Sequence, residues 1–169
     1  MSSPRGLEIY PSYFSLEETK VILNEIDNNY TWTNQLKRRV IHMGYEYDYK
    51  SRKLSPFNPI SGILEQLKKQ LQSLFGKEEI TQIIVNEYTS EQCISKHTDA
   101  NVFGPTIMTL TLGNSATLRF TRKDEVYDVL CSPGDLIIMR GESRTDWKHE
   151  TLPIRNKNFR RVSITFRST

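Results

Sequence analysis

Two histidines and one aspartate have the types and the spacing of a metal site. His97 and Asp99 stand two residues apart in a segment predicted to be extended, so their side chains point the same way. His149 comes later, in another β-like stretch. Two histidines and a carboxylate form the facial triad of non-haem Fe(II) oxygenases, which leaves positions open for reactants. A histidine that serves only the fold is the commoner explanation for any one of them, so the prediction depends on the surrounding residues.

The last predicted strand, Arg160–Arg167, alternates polar and apolar residues with a period of two. The polar residues that share one face are Arg161, Ser163, Thr165 and Arg167. Two inward-facing arginines are costly unless they are paired, and guanidinium groups bind carboxylates bidentately. This face therefore fits a buried dicarboxylate, although the strand taken alone is better explained by an edge position with its polar face in solvent.

An earlier predicted strand adds two hydrogen-bonding side chains with the same spacing. Asn86 and Tyr88 also stand two residues apart, and they precede His97 along the chain. An amide and a phenol can both donate hydrogen bonds to one small acid. The residues therefore predict a polar site for such an acid beside the metal.

Helices are predicted on the N-terminal side of these strands. A strand over Gly6–Phe14 leads into a helix that begins at Ser15 with a capping box. A second helix is predicted with Asn58 as its N-cap, Pro59 as its first helical residue and Gly76 as its C-terminal stop. The N-terminal part therefore has mixed α and β structure.

Short β-rich runs separated by turn residues fill the rest of the chain, which is typical of a sandwich or a small barrel. These runs are Ile80–Tyr88, Cys93–His97, Thr106–Leu112, Thr117–Arg122, Val126–Leu130, Leu136–Arg140 and Arg160–Arg167. Before them, the extended segment Gly44–Tyr49 carries alternating tyrosines on one face.

Composition bounds the class of protein but not its chemistry. The 169 residues predict one domain, and 23 basic against 20 acidic residues give a net charge of +3, which permits a polyanionic partner without requiring one. No apolar run approaches the roughly 18 residues that span a bilayer, and the N-terminus lacks a signal-peptide pattern. We expect Cys93 and Cys131 to be buried thiols of a reducing compartment. The expected protein is a monomer that is intracellular, cytoplasmic or nuclear, and not membrane-bound.

Together these patterns resemble the AlkB family of Fe(II)/2-oxoglutarate dioxygenases. The matching segments run in order along nearly the whole chain. They are Asn86–Tyr88, His97–Asp99, Pro133–Leu136, Met139–Arg144, Trp147–His149 and Arg161–Arg167. The resemblance implies a single α+β, mainly β domain over residues 1–169. Its double-stranded β-helix (jelly-roll) core spans residues 80–169, and an N-terminal α/β nucleotide-recognition cover and lid spans residues 1–79.

The resemblance also implies a role for each polar residue. The triad of His97, Asp99 and His149 is the implied ligand set for Fe(II), with O₂ and 2-oxoglutarate as co-substrates. By resemblance, Arg161 and Tyr88 hold the distal carboxylate of 2-oxoglutarate. Arg167 and Asn86 hold the carboxylate near the metal, and Ser163 contacts the co-substrate where the family often has asparagine.

The leading interpretation of the sequence is an oxidative demethylase of N-alkylated nucleobases in single-stranded DNA or RNA. Candidate substrate contacts are two arginines that can reach phosphates, two tyrosines that can stack on a base and one polar residue near the metal. They are Arg38, Arg39, Tyr45, Tyr47 and Asn101. DNA-repair members of the family carry an acidic residue at the position of Asn101, so a positively charged methylated base lacks that favourable charge here.

Three alternatives stay open. A tRNA base hydroxylase is favoured by the Gly44–Tyr49 segment and by Asn101, both of which resemble the tRNA-modifying branch of the family. A protein side-chain hydroxylase or demethylase is the second alternative. A catalytically silent nucleic-acid-binding module is the non-enzyme alternative.

Overall fold

The computed structural model describes residues 2–34, 36–48 and 50–169, without the side chains of residues 46, 47, 56 and 57. Within this part of the chain the strands are β1 (Leu7–Tyr10), β2 (Val40–Asp48), β3 (Lys53–Asn58), β4 (Gln82–Thr89), β5 (Ile94–His97), β6 (Ile107–Gly113), β7 (Ala116–Arg122), β8 (Glu125–Cys131), β9 (Leu136–Met139), β10 (Lys148–Thr151) and β11 (Arg160–Arg167). The helices are α1 (Leu16–Asn29), α2 (Gly62–Phe75) and the single turn α3 (Glu142–Thr145).

The strands form two antiparallel sheets, as the mainly β jelly-roll prediction required. The large sheet has the order β1-β9-β6-β11-β4-β2-β3, and the small sheet has the order β5-β10-β7-β8. Because β1 pairs with β9 and β2 pairs with β4, the N-terminal residues contribute strands to the same large sheet as the C-terminal residues. The most N-terminal strand is shorter than predicted, because its pairing with β9 ends at Tyr10.

Two helices cover one face of the large sheet. The capping box predicted for α1 is present: Ser15 Oγ accepts a hydrogen bond from the Glu18 amide at 3.1 Å, and the Glu18 carboxylate accepts one from the Ser15 amide at 3.0 Å. The predicted start of α2 is wrong. Asn58 is still paired with Gly44 as the last residue of β3, which keeps the chain extended, and Ser61 occupies the N-cap position instead.

The alternation of β11 divides the core into two layers. Val162, Ile164 and Phe166 are fully buried among the side chains of α1 and α2. The alternating polar residues face the opposite way, into the space between the two sheets. β11 lies between β4 and β6 in the centre of the large sheet, so the edge-strand explanation is wrong.

The two cysteines differ in their surroundings. Cys131 is buried between the sheets, as expected, whereas Cys93 is exposed and the prediction of a buried thiol is wrong there. Cys93 directly precedes β5, outside the paired strands, so neither sheet covers it. In the described part of the chain no helix combines the length and the apolar character needed to cross a membrane.

Candidate active site

Strand pairing in the small sheet brings the two histidines together. His97 ends β5, His149 lies on β10, and the two residues are directly opposite each other in the antiparallel register. Asp99 follows β5 and turns back between them: its Oδ1 atom lies 3.6 Å from His97 Nε2 and 3.4 Å from His149 Nε2. The ligand atoms of all three residues lie within 4.8 Å of one another.

The triad fits a six-coordinate divalent metal ion. Ligands about 2.1 Å from an ion, on neighbouring octahedral positions, stand about 3 Å apart, close to the separations seen here. The Nδ1 atom of His97 lies 2.7 Å from the Ser95 carbonyl oxygen, which fixes the proton on Nδ1 and leaves the Nε2 lone pair for a metal. Burial lowers the pKa of His149, so its imidazole is neutral and able to ligate.

The carboxylate of Asp99 is held in its ionised form. Burial alone raises the pKa of this carboxyl, but the charge of Arg167 and the neighbouring His149 and His97 outweigh burial, and the pKa lies well below its ordinary value. Arg167 Nη2 lies 2.7 Å from Asp99 Oδ2 in an ion pair that lacks hydrogen-bond alignment. The aspartate therefore presents one charged oxygen to the two histidines and the other to an arginine.

A cavity between the sheets adjoins the triad and fits a dicarboxylate. Arg161 is only 3% exposed, and its Nη2 donates to Thr111 Oγ1 at 2.9 Å. Its guanidinium carbon lies 5.7 Å from the centre of the Tyr88 ring. No carboxylate of the described residues forms an ion pair with Arg161, and its buried Nε has no hydrogen-bond partner there. A buried cation of this kind needs an anion, and the carboxylate of a small acid fits.

The remaining predicted co-substrate residues line the same cavity, and two of them, Asn86 and Arg167, already have partners. Asn86 lies opposite Ser163 in the pairing of β4 with β11, and both face the cavity. Asn86 Oδ1 accepts a hydrogen bond from Arg38 Nε at 3.0 Å. Arg167 donates to Gln82 at 3.1 Å in addition to its ion pair with Asp99.

A second cavity adjoins His97 and Asp99. Its described lining combines polar and apolar side chains with two of the three candidate metal ligands, His97 and Asp99. These residues are Leu36, Arg38, Val40, His42, Ile84, Asn86, Ile94, Ser95, His97, Thr98, Asp99, Ala100, Phe103 and Arg167. We call this cavity the substrate cleft. Asn86, Ile94, His97, Asp99 and Arg167 line both cavities, so His97 and Asp99 stand where the two cavities meet, while His149 lines only the first.

The structure places only one of the predicted substrate-binding residues in the described wall of the substrate cleft. Arg38 lines the substrate cleft, but Arg39 is turned away and forms a bidentate ion pair with Glu87. Tyr45 and Asn101 are exposed and are not among the described residues of the cleft wall. The predicted tyrosine face continues to residue 47, which lies on β2 with its side chain outside the description, and to residue 49, which lies outside the described residues.

Two residues of the site were not predicted from the sequence. Thr111 accepts the hydrogen bond of Arg161, and the alternation of threonine and leucine in β6 is the signal that could have placed it on the same face as the cavity-lining Thr109. Arg144 donates hydrogen bonds to the backbone of the loop that follows Asp99. It lies in a matched segment, yet nothing in its spacing indicates what it contacts.

The fold and the site together define a non-haem iron oxygenase. The family model of the 2OG-Fe(II) oxygenase superfamily matches residues 6–167, and the chain belongs to this family. Fe(II), 2-oxoglutarate and O₂ are therefore its cofactor and co-substrates, and the predicted resemblance to AlkB proteins is confirmed by homology.

Two relatives and one solved structure illustrate the homology. The tRNA (carboxymethyluridine(34)-5-O)-methyltransferase ALKBH8 of Macaca fascicularis is 31% identical over 159 residues, which cover 86% of this chain and 24% of that protein. The alkylated DNA repair protein ALKBH8 homolog of Arabidopsis thaliana is 24% identical over 201 residues, covering 96% of this chain and 58% of that protein. The structure of OsALKBH1 superimposes with a TM-score of 0.76 at 16% identity, covers 100% of this chain and 99% of that one, and shares its fold.

The chain is much shorter than these curated relatives. It spans about a quarter of the length of the macaque protein and little more than half of the plant protein. The match covers the oxygenase fold of this chain, while the activities named for the whole relatives belong to those proteins.

Proposed function

We propose that this chain oxidises a substituent on a nucleobase of RNA, with tRNA as the favoured substrate class. The observation that carries the proposal is the charge of the substrate cleft. Among its described residues, Asp99 is the one carboxylate, and it is already paired with Arg167. Arg38 adds a cation that forms no ion pair with the described residues. Such a cleft favours a neutral or acidic substituent over a positively charged methylated base.

Different residues of the site bind the metal and the co-substrate in this reaction. Bound Fe(II) supplies the activation of O₂ that couples decarboxylation of 2-oxoglutarate to oxidation of a substrate C–H bond. The triad His97, Asp99 and His149 holds the metal, and Arg161 with Tyr88 holds the distal carboxylate of the co-substrate. Their positions between the two sheets exclude bulk water from the buried part of the site.

Further residues orient the co-substrate and the ligands around it. Asn86 and Ser163, which lie opposite each other on β4 and β11, contact 2-oxoglutarate. Arg167 balances the charge of the metal-binding aspartate and also faces the co-substrate cavity. Asp99 also lines the substrate cleft.

The N-terminal residues are proposed to deliver the base. Residues 1–79 act as a cover and lid over the core of residues 80–169, because Arg38 and Val40 from this part form one wall of the substrate cleft. The hairpin of β2 and β3 carries Tyr45 and Tyr47 for stacking on an unpaired base. Arg39 serves this lid indirectly, since its ion pair with Glu87 anchors the neighbouring backbone.

The macaque relative favours tRNA as the substrate, and the charge of the cleft is compatible with it. The macaque relative is named as an enzyme of a modified tRNA uridine, and uridines with a substituent on carbon 5 carry no positive charge on the base. Oxidation of such a substituent leaves a stable hydroxyl group. The expected product is therefore a nucleoside that has gained one oxygen atom.

A second candidate is the oxidative demethylation of an N-alkylated base. The apolar side chains of Val40, Ile84 and Phe103 in the cleft wall fit a methyl group, and the plant relative is named as an alkylated DNA repair protein. A hydroxylated N-methyl group breaks down with release of formaldehyde. The product is then a nucleoside that has lost a methyl group, so one assay separates the two candidates.

The test measures succinate and modified nucleosides by mass spectrometry, with Fe(II), 2-oxoglutarate and O₂ present. The substrates are a tRNA pool, RNA oligonucleotides with neutral or acidic 5-substituted uridines, and oligonucleotides of RNA or DNA with cationic methylated bases. We expect oxygen gain on the uridines and little reaction with the cationic bases. Preferential demethylation of the cationic bases contradicts the proposal.

Arg38→Gln tests the role of the unpaired cation. A hydrogen bond to a charged group contributes about 1.5–3 kcal/mol, so we expect the KM for acidic uridines to rise about 10- to 140-fold. The matched control is Lys37→Gln, which removes the same charge from an exposed neighbour outside the described cleft wall. An equal effect of the two variants contradicts a specific contact at Arg38.

A further inference from the structure

Arg144 fastens the loop that carries the metal-binding aspartate. It lies on α3, is only 5% exposed, and reaches four backbone carbonyl oxygens of the segment Asp99–Gly104. Nη1 donates to the Asp99 oxygen at 2.9 Å, and Nη2 donates to the oxygens of Ala100 at 2.9 Å and Phe103 at 3.3 Å. Nε donates to the oxygen of Gly104 at 3.3 Å. One planar side chain therefore sets the path of the whole loop.

The bonding of Arg144 is unusual for a buried cation. No carboxylate of the described residues forms an ion pair with it, and burial lowers the pKa of its guanidinium. Backbone carbonyl oxygens provide the hydrogen bonds that offset the loss of water. A lysine carries the same charge but cannot present a planar fork of N–H groups to several carbonyls at once.

A second arginine, Arg167, contacts side chains of the same loop. The guanidinium carbon of Arg167 lies 4.4 Å from the centre of the Phe103 ring, and its Nη2 forms the ion pair with Asp99. The loop is also joined to the C-terminal end of the chain, since the Gly104 amide donates to the Ser168 oxygen at 3.0 Å. The loop is therefore fixed on its backbone by Arg144 and on its side chains by Arg167.

We infer that Arg144 is a positioning residue that pre-organises both the metal site and one wall of the substrate cleft. The same loop carries Asp99, which faces the histidines, and Ala100 and Phe103, which line the cleft. Arg144 holds the carbonyl oxygens of all three residues, so their relative positions are set before any ligand binds. This inference rests on the proposed metal role of Asp99 and adds a residue that contacts neither metal nor substrate.

The test compares Arg144→Lys with Arg140→Lys. Arg140 lies in the same segment and also donates to backbone carbonyl oxygens, those of Leu74 and Phe75, but it bonds nothing in the site. Mn(II) affinity is measured by electron paramagnetic resonance on each metal-free protein. Loss of a residue that orients a ligand typically weakens metal binding about 10- to 100-fold, which we expect for Arg144→Lys and not for Arg140→Lys.

Hydrogen exchange reports on the loop without any metal. In the metal-free protein we expect the amides of Phe103 and Gly104 to exchange faster in Arg144→Lys than in wild type, and unchanged in Arg140→Lys. Equal Mn(II) affinity and equal exchange in folded Arg144→Lys and wild type overturn the inference. If wild type binds no Mn(II), the metal role of Asp99 fails, while the exchange rates still decide what Arg144 does to the loop.

A measurement on wild type alone covers the case in which Arg144→Lys does not fold. A loop that Arg144 holds in advance must protect the Phe103 and Gly104 amides about equally in the metal-free and the Mn(II)-loaded protein. Protection that develops only when Mn(II) is added overturns the inference, because the metal and not Arg144 then orders the loop.

Discussion

Replacing Arg161 by methionine should make the protein without ligand more stable and weaken its binding of 2-oxoglutarate. Arg161 is buried in the cavity, donates one hydrogen bond to Thr111 and has no carboxylate partner among the described residues. Its charge is therefore costly to the empty protein and useful only when an anion is present. Opposite changes in stability and affinity distinguish this situation from an ordinary structural arginine.

The two magnitudes follow from the burial of the charge. Replacing a buried ion pair by apolar side chains of similar size stabilises proteins by about 1–4 kcal/mol, and we expect the unpaired charge of Arg161 to fall in this range. Each kcal/mol raises the Tm of a domain of this size by about 2–4 °C. Removing one partner of a buried, hydrogen-bonded charge pair costs about 2–5 kcal/mol, so the Kd for 2-oxoglutarate should rise about 30- to 4,000-fold.

Thermal unfolding of the metal-free protein and calorimetric titration of the Mn(II)-loaded protein with 2-oxoglutarate measure the two effects. The control is Arg119→Met, which removes an arginine from an exposed ion pair with Asp128 on the small sheet. We expect the control to retain wild-type affinity. An Arg161→Met protein with lowered Tm and unchanged affinity refutes the reasoning, because Arg161 then serves the fold and not the co-substrate.

Other predictions concern the metal, the pH and the substrate. His149→Ala should abolish tight Mn(II) binding, which paramagnetic resonance detects, because two ligands remain of the three that converge. Hydrogen bonds from Arg39 hold the pKa of Glu87 below its ordinary value, so its ionised form stabilises the protein above the ordinary carboxyl pKa of about 4.3 and this contribution is lost as the pH falls. The free energy of unfolding of Glu87→Gln, measured by denaturant titration, should therefore approach that of wild type as the pH falls below about 5, and a constant difference contradicts this. Arg38→Glu should lower the activity on acidic uridines below that of Arg38→Gln, since repulsion replaces attraction; equal rates in the nucleoside assay contradict this.

Features that depend on local spacing were predictable from the sequence. The period of two in β11 places Arg161 and Arg167 on one face whatever the partner strands are. His97 and Asp99 converge for the same reason, since both lie at or next to the end of one extended segment. The Ser15 capping box is also a local feature, and it forms as predicted.

Features that depend on distant backbone were not predictable. Asn58 has the residue type of an N-cap, yet its pairing with Gly44 across the hairpin overrides that local preference. The partners of Arg144 are carbonyl oxygens, which every residue possesses, so no residue type marks them in the sequence. Arg39 is predicted to contact phosphate because the sequence does not show that Glu87 lies beside it and pairs with it.

Conversion of 2-oxoglutarate to succinate in the presence of a tRNA pool tests the central claim most directly. Wild type and His97→Ala are compared with Fe(II) and O₂, and the succinate is counted against the oxidised nucleoside. The account predicts succinate from wild type, with about one oxidised nucleoside for each succinate in a coupled reaction, and neither product from His97→Ala. Wild-type protein with demonstrably bound iron that forms no succinate contradicts the claim and favours a binding module without turnover.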